Sequence, residues 1–109
     1  MKYIRLYENF NDEISIREIC ADYDIRNYTI NDDGSIDVDG DVNLSERGLD
    51  ELPLKFNKVY GNFNCYSNKL ISLEGCPKFV GHNFNCSDNK LTSLKYGPEK
   101  VGISRTKNV

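Results

Sequence analysis

Few side chains in this sequence are of types that do chemistry. They are Cys20, Cys65, Cys76 and Cys86, the single histidine His82, and the carboxylates of DDGSIDVDGD, which begins at Asp32. Zinc requires convergent ligands, usually paired within a few residues. No two of these cysteines stand in a CxxC spacing, so they read as small, reduced side chains of the interior. A calcium loop of the EF-hand kind needs alternating oxygen ligands, a central glycine and a glutamate at its twelfth position. Here Ile36 and Val38 alternate with Asp37 and Asp39, the pattern of a half-buried strand. His82 has no partnered Cys, Ser or Asp motif, and GxGxxG, P-loop and HExxH patterns are absent. The residues therefore predict no enzyme, no cofactor and no metal site.

The elements that must position these residues are written in a repeat. NFNCYSNKLISLEGCP begins at Asn62 and NFNCSDNKLTSLKYGP at Asn83. Val38, Val59, Val80 and Val101 recur every 21 residues. Further columns follow the same spacing: Val42, Phe63, Phe84; Leu44, Cys65, Cys86; Leu49, Leu70, Leu91; Leu52, Leu73, Leu94. Asn68 and Asn89 match, with Arg47 at the equivalent place. Five apolar columns in register match the leucine-rich-repeat frame L-x-x-L-x-L-x-x-N-x-L. One coil cannot bury its own apolar face, but stacked coils share a core. In a strand such as Asn83–Ser87, Phe84 and Cys86 point inward, while Asn83, Asn85 and Ser87 point outward. Asn68 and Asn89 are expected to turn inward and bond loop backbone.

These patterns predict an α+β, mostly β chain: a short leucine-rich-repeat-like solenoid of about three 21-residue coils with an N-terminal helix and hairpin cap. Residues 1–37 form the cap and 38–109 the solenoid with a truncated last coil, in one structural domain. Ile16, Ile19, Cys20 and Tyr23 make the stripe of a short helix. Ser15 and Glu18 read as a capping box at its start. YTINDDGSIDV reads as a hairpin around Asp32-Asp33-Gly34, and Lys2–Tyr7 as an extra strand. At the other end Val101 begins a fourth strand, and the column of Val42, Phe63 and Phe84 would next hold Arg105. A charge there discourages further stacking, which predicts a monomer or a weak homodimer through the C-terminal edge.

The repeat resembles units of roughly G-N-F-x-C-S-x-N-x-L-T-S-L-E-G-C-P found in small proteins predicted from tailed-bacteriophage genomes. The likeness covers residues 38–100 and extends to NYTINDDGSIDVDGDVNLS before them. In the third unit Lys95-Tyr96-Gly97 replaces Glu74-Gly75-Cys76, a departure from the pattern. The resemblance implies a phage accessory protein that binds and inhibits a host protein, an anti-phage defence protein among the candidates.

The outward positions of the repeat form the candidate partner-binding face: Asp41, Asn62, Asn83; Asn43, Asn64, Asn85; Ser45, Tyr66, Ser87; with His82 and Tyr60 at its edge. It is a polar sheet with one protruding tyrosine, a favoured anchor in interfaces. The bland reading is that its asparagines bond one another and keep the face soluble. Net charge is -3, with a balance of -5 over residues 1–37 and +2 over 38–109. Neither half has the basic stripe of a nucleic-acid binder; Lys90, Lys95, Lys100, Arg105 and Lys107 read as solvated charges. No apolar run reaches the ~20 residues of a membrane span, and MKYIRLYENF lacks the core of a signal peptide. The expected place is the bacterial host cytosol. The competing expectation is an assembly protein that self-associates or docks on a virion component.

Overall fold

The computed structural model describes residues 10–102 and 107–108. Lys2–Tyr7, read above as a strand, lies outside them. The chain is α+β: among the described residues there is one helix, followed by two sheets of short strands.

Helix α1 spans Phe10–Asp22. Ile16 and Cys20 are buried, and Ile19 and Tyr23 pack partly buried beside them, so the apolar stripe is the face that docks. The helix starts five residues ahead of Ser15. Ser15 and Glu18 therefore lie within it, and the expected capping box is not its start. The C-terminus closes as a Schellman motif. Asp24 takes the left-handed conformation (φ 58°), its N–H donates to Ala21 O at 3.2 Å, and Ile25 N–H donates to Cys20 O at 2.8 Å. Both Ile25 and Cys20 are buried, which supplies the apolar contact that accompanies this stop.

The predicted hairpin is present. Strands β1 (Tyr28–Ile30) and β2 (Ile36–Val38) pair antiparallel, with Tyr28 opposite Val38 and Ile30 opposite Ile36. The carboxylates of DDGSIDVDGD serve this turn. Asp33 Oδ1 accepts from Ser35 N–H at 2.9 Å and from its hydroxyl at 2.6 Å. Asp37 Oδ1 accepts from Asn31 Nδ2, Asn57 Nδ2 and Lys58 N–H at 3.2, 2.9 and 3.2 Å. Ile36 and Val38 are wholly buried between them. Strand β2 crosses the boundary drawn at residues 37/38, so hairpin and repeat share a strand.

Beyond β2 the pairing is parallel and follows the repeat. One sheet runs β1-β2-β4-β6-β8, with β4 (Phe56–Val59), β6 (Phe79–Val80) and β8 (Lys100–Val101). The other runs β3-β5-β7-β9, with β3 (Val42–Asn43), β5 (Phe63–Asn64), β7 (Phe84–Asn85) and β9 (Lys107–Asn108). Val38 pairs with Val59, Val59 with Val80 and Val80 with Val101. Val42 pairs with Phe63, and Phe63 with Phe84. Each of these offsets is the 21 residues of the sequence repeat. The last strand departs: Lys107, and not Arg105, stands opposite Phe84. The shift is two residues, and Arg105 itself lies outside the described residues.

Between the two sheets each unit turns a corner, and there the backbones of neighbouring units touch. Gly61 N–H donates to Gly40 O at 3.0 Å and Gly81 N–H to Val59 O at 2.8 Å. A Cβ on Gly81 would collide with the carbonyl of Tyr60. The core fills the space between the sheets. Phe63 stacks on Phe84 with ring centroids 5.9 Å apart and an interplanar angle of 13°, and meets Phe56 edge-on at 5.1 Å. All four cysteines are buried thiols. One expected core column opens at its end: Leu52 and Leu73 are buried, but Leu94 is 51 % exposed, because burial of each leucine depends on the unit that follows.

Candidate binding face

The sheet β3-β5-β7 brings the predicted residues together on one surface. Asp41, Asn43, Tyr66, His82 and Asn83 are exposed, and Asn62, Asn64, Asn85 and Ser87 are half-buried. Behind them Val42, Leu44, Phe63, Cys65, Phe84 and Cys86 are buried. Alternation along a two-sided strand sets that division. Tyr60, also exposed, leans on Phe79 at 5.7 Å beside the corner.

The asparagines are held by backbone rather than by one another. In the corner column Asp41 Oδ1 accepts from Asn62 N–H at 2.8 Å, and Asn62 Oδ1 accepts from Asn83 N–H at 2.9 Å. In the next column each oxygen closes a turn onto its own chain. Asn43 Oδ1 accepts from Ser45 N–H at 3.0 Å, Asn64 Oδ1 from Tyr66 N–H at 2.9 Å, and Asn85 Oδ1 from Ser87 N–H at 3.0 Å. These Asx turns carry the chain out of the strand. Immediately after each of these N–H donors, Glu46, Ser67 and Asp88 all take the left-handed conformation, with φ of 55°, 60° and 59°.

Asn68 and Asn89 turn inward as the repeat predicts. Asn68 is buried, accepts from Arg47 N–H and Leu49 N–H at 3.0 Å each, and donates to Leu44 O and Cys65 O. Asn89 accepts from Leu70 N–H at 3.0 Å and donates to Cys65 O and Cys86 O at 3.0 Å each. Arg47, standing where the first unit lacks this asparagine, instead places its guanidinium 5.0 Å from the Tyr23 ring centroid, which ties the first unit to the end of α1.

The return side of the units holds a feature that the columns of leucines did not announce: a groove of about 1180 Å³. Ile71 and Tyr96 line it and are 56 % and 51 % exposed, with Asp50, Glu51, Glu74 and Glu99 also on its walls. Tyr96 holds a left-handed φ of 73° at the place where the preceding unit has Gly75 at 93°. Its signal in the sequence is an apolar residue in a polar column, Ile71 between Asp50 and Thr92.

The electrostatics show buried and inert thiols. Burial pushes Cys65 up to about 12 and Cys20 up to about 11. The hydrogen bonds from Ser35 lower the Asp33 carboxyl below its ordinary value. Among the described residues, no group of three or more His, Cys, Asp and Glu is placed to hold a metal ion. Also among them, no helix is long and apolar enough to cross a membrane. Comparison with family models, with curated proteins and with solved structures finds no match for the chain.

Proposed function

We propose that this chain is a non-catalytic protein-binding module. In this account the stacked units are a short leucine-rich-repeat-like solenoid, and another protein is held on the outer face of β3-β5-β7. The observation that carries it is a wide polar surface on a fixed frame. The oxygens of Asn43, Asn62, Asn64 and Asn85 are all bound to backbone N–H groups, so the side chains are ordered before any partner arrives. Preorganisation of this kind lowers the entropic cost of association. Tyr66 stands out from the polar field with 38 % exposure, as an anchor for a partner's pocket. A standard interface takes ~800 Å² from each partner, and three stacked units offer a surface on that scale.

The resemblance of the repeat to small tailed-phage proteins supplies the setting. The partner is a host protein met in the bacterial cytosol, and binding inhibits it; a defence protein is the sharpest case. Affinity capture from a bacterial lysate tests this. A host protein retained specifically, together with poorer plating of phage lacking the gene on hosts that carry that protein, is the expected result. Normal plating on all hosts and no retained protein would overturn it.

A second account, end-to-end association or docking on a larger assembly, is favoured by the open end of one column. Leu94 is 51 % exposed where Leu73 is 1 % exposed. Sedimentation over a wide concentration range separates the two: a strict monomer, absent from purified virions, removes the assembly account.

A further inference from the structure

The hydrogen bonds of the β3-β5-β7 face leave it one-sided in a way that specifies a partner. A carboxamide has one acceptor oxygen and an NH2 with two donors. Only the oxygen can accept from a backbone N–H, so the bonds described above fix which end of each amide is which. The oxygens of Asn43, Asn62, Asn64 and Asn85 are spent on Ser45, Asn83, Tyr66 and Ser87 N–H respectively. Their Nδ2 groups make no hydrogen bond to any described residue. The Ser45 and Ser87 hydroxyls also direct their protons inward, to Asn43 and Asn85 Oδ1 at 2.7 Å. What the four carboxamides leave for a partner is a set of amide N–H donors, with the Ser45 and Ser87 oxygens beside them keeping acceptor lone pairs.

We infer that this face takes an extended segment of another protein with carboxylate side chains at every second residue. The inference rests on the binding-module account above and names the chemistry of the partner. Residues two apart along a strand are ~6.7 Å apart, and neighbouring strands ~4.8 Å. Asn62 and Asn64 therefore present NH2 groups at the pitch of alternate side chains in an extended chain, and the neighbouring unit repeats the pattern through Asn85. A carboxylate accepts from such donors in charge-assisted bonds, which are shorter and stronger than neutral ones. A lysine or arginine set against those amides meets donors only. Asp41 is the sole charge among the outward column residues, and it lies in the first unit, so the second and third units are the seat.

An isosteric change isolates the claim. Asn→Asp keeps the anchoring oxygen and replaces the outward NH2 by an acceptor. Asp41 already fills the corner column as a carboxylate, so Asn62→Asp preserves the fold. The probe is a synthetic hexapeptide alternating Thr and Glu, with a Thr–Lys hexapeptide as control, read by chemical-shift titration of the full chain. The natural chain binds the Glu peptide with shifts confined to residues 62–66 and 82–87. Asn62→Asp weakens it by about tenfold, and the triple change Asn62→Asp, Asn64→Asp, Asn85→Asp abolishes it with an unchanged thermal melt. Absence of Glu-peptide binding, equal binding of the Lys peptide, or full binding by Asn62→Asp overturns the inference. A host protein captured through this face in the presence of any of those results leaves the binding module standing and removes only the acidic partner.

Discussion

The Asn68 carboxamide donates to the carbonyl of Leu44, one unit earlier in the stack, at 2.8 Å. The same side chain accepts from Arg47 and Leu49 N–H. One buried amide thus answers for backbone groups in a turn that has no sheet partner. Asn68→Leu removes the bonds and leaves those groups buried and unpaired, at a cost of ~1–3 kcal/mol. Urea unfolding followed by circular dichroism measures it. Asn89 is half-buried and lies one unit further along, so Asn89→Leu is expected to cost less than Asn68→Leu.

The corner sets a second sharp requirement. A methyl at residue 81 would run into the Tyr60 backbone carbonyl, and a backbone carbonyl cannot rotate away as a side chain can. Gly81→Ala should destabilise by about 1–3 kcal/mol, the usual cost of forcing atoms into a packed site. An unfolding midpoint equal to that of the natural chain would show that the two units are free to part at the corner.

Left-handed backbone at three successive turn positions offers the opposite sign. Glu46 sits at φ 55° and is exposed. Asparagine tolerates this conformation better than glutamate because its short amide bonds locally. Glu46→Asn is expected to raise stability by about 0.5 kcal/mol, measured by the same denaturation.

The thiols give a pH signature. Burial holds Cys65 protonated up to about 12 and Cys20 up to about 11, whereas a thiol in the unfolded chain ionises near ~8.5. Their contribution is fully present below the unfolded value and is lost as pH rises through the interval from there to the folded values. Stability should therefore fall from about pH 8.5 up to about 11 for the Cys20 contribution and about 12 for that of Cys65, and less steeply in Cys65→Ala. The native thiols should also resist iodoacetamide at pH 8 until the chain is unfolded, since the thiolate is the reactive form.

The parts of the fold that repeat were legible in the sequence, and the parts that depend on a neighbour were not. Val38, Val59, Val80, Phe63, Phe84 and Leu70 are buried as their columns required, because a side chain that recurs every 21 residues in a stack meets its own kind. The inward turn of Asn68 and Asn89 followed from the same register. The corner between the sheets was hidden, because the strands on its other side, β4 and β6, have only four and two residues, too few to show a second alternating run. Ser15 and Glu18 have the chemistry of a cap, yet the helix begins at Phe10; the same pair is equally at home on a helix surface. Leu94 has a core residue's identity in an exposed place, since hydrophobicity does not record whether a following unit covers it. On the candidate face the residues expected together do share one surface. The direction of their amides was out of reach, because it is set by which backbone N–H each oxygen meets, and for Asn62 that N–H belongs to the next unit.

The central claim is that a protein partner is bound by the β3-β5-β7 face rather than by the groove on the return side. The most direct test is calorimetric titration of the captured host protein into three chains: the natural one, the face variant Asn64→Asp, Tyr66→Ala, Asn85→Asp, which keeps the oxygens that close the turns, and the groove variant Ile71→Arg, Tyr96→Ala. Tyrosine anchors removed from interfaces cost ~2 kcal/mol or more each. The face variant should therefore lose about a hundredfold or more in affinity while keeping its melting temperature, and the groove variant should bind as the natural chain does. Undiminished binding by the face variant, with loss in the groove variant, would contradict the account and move the site to the acidic groove.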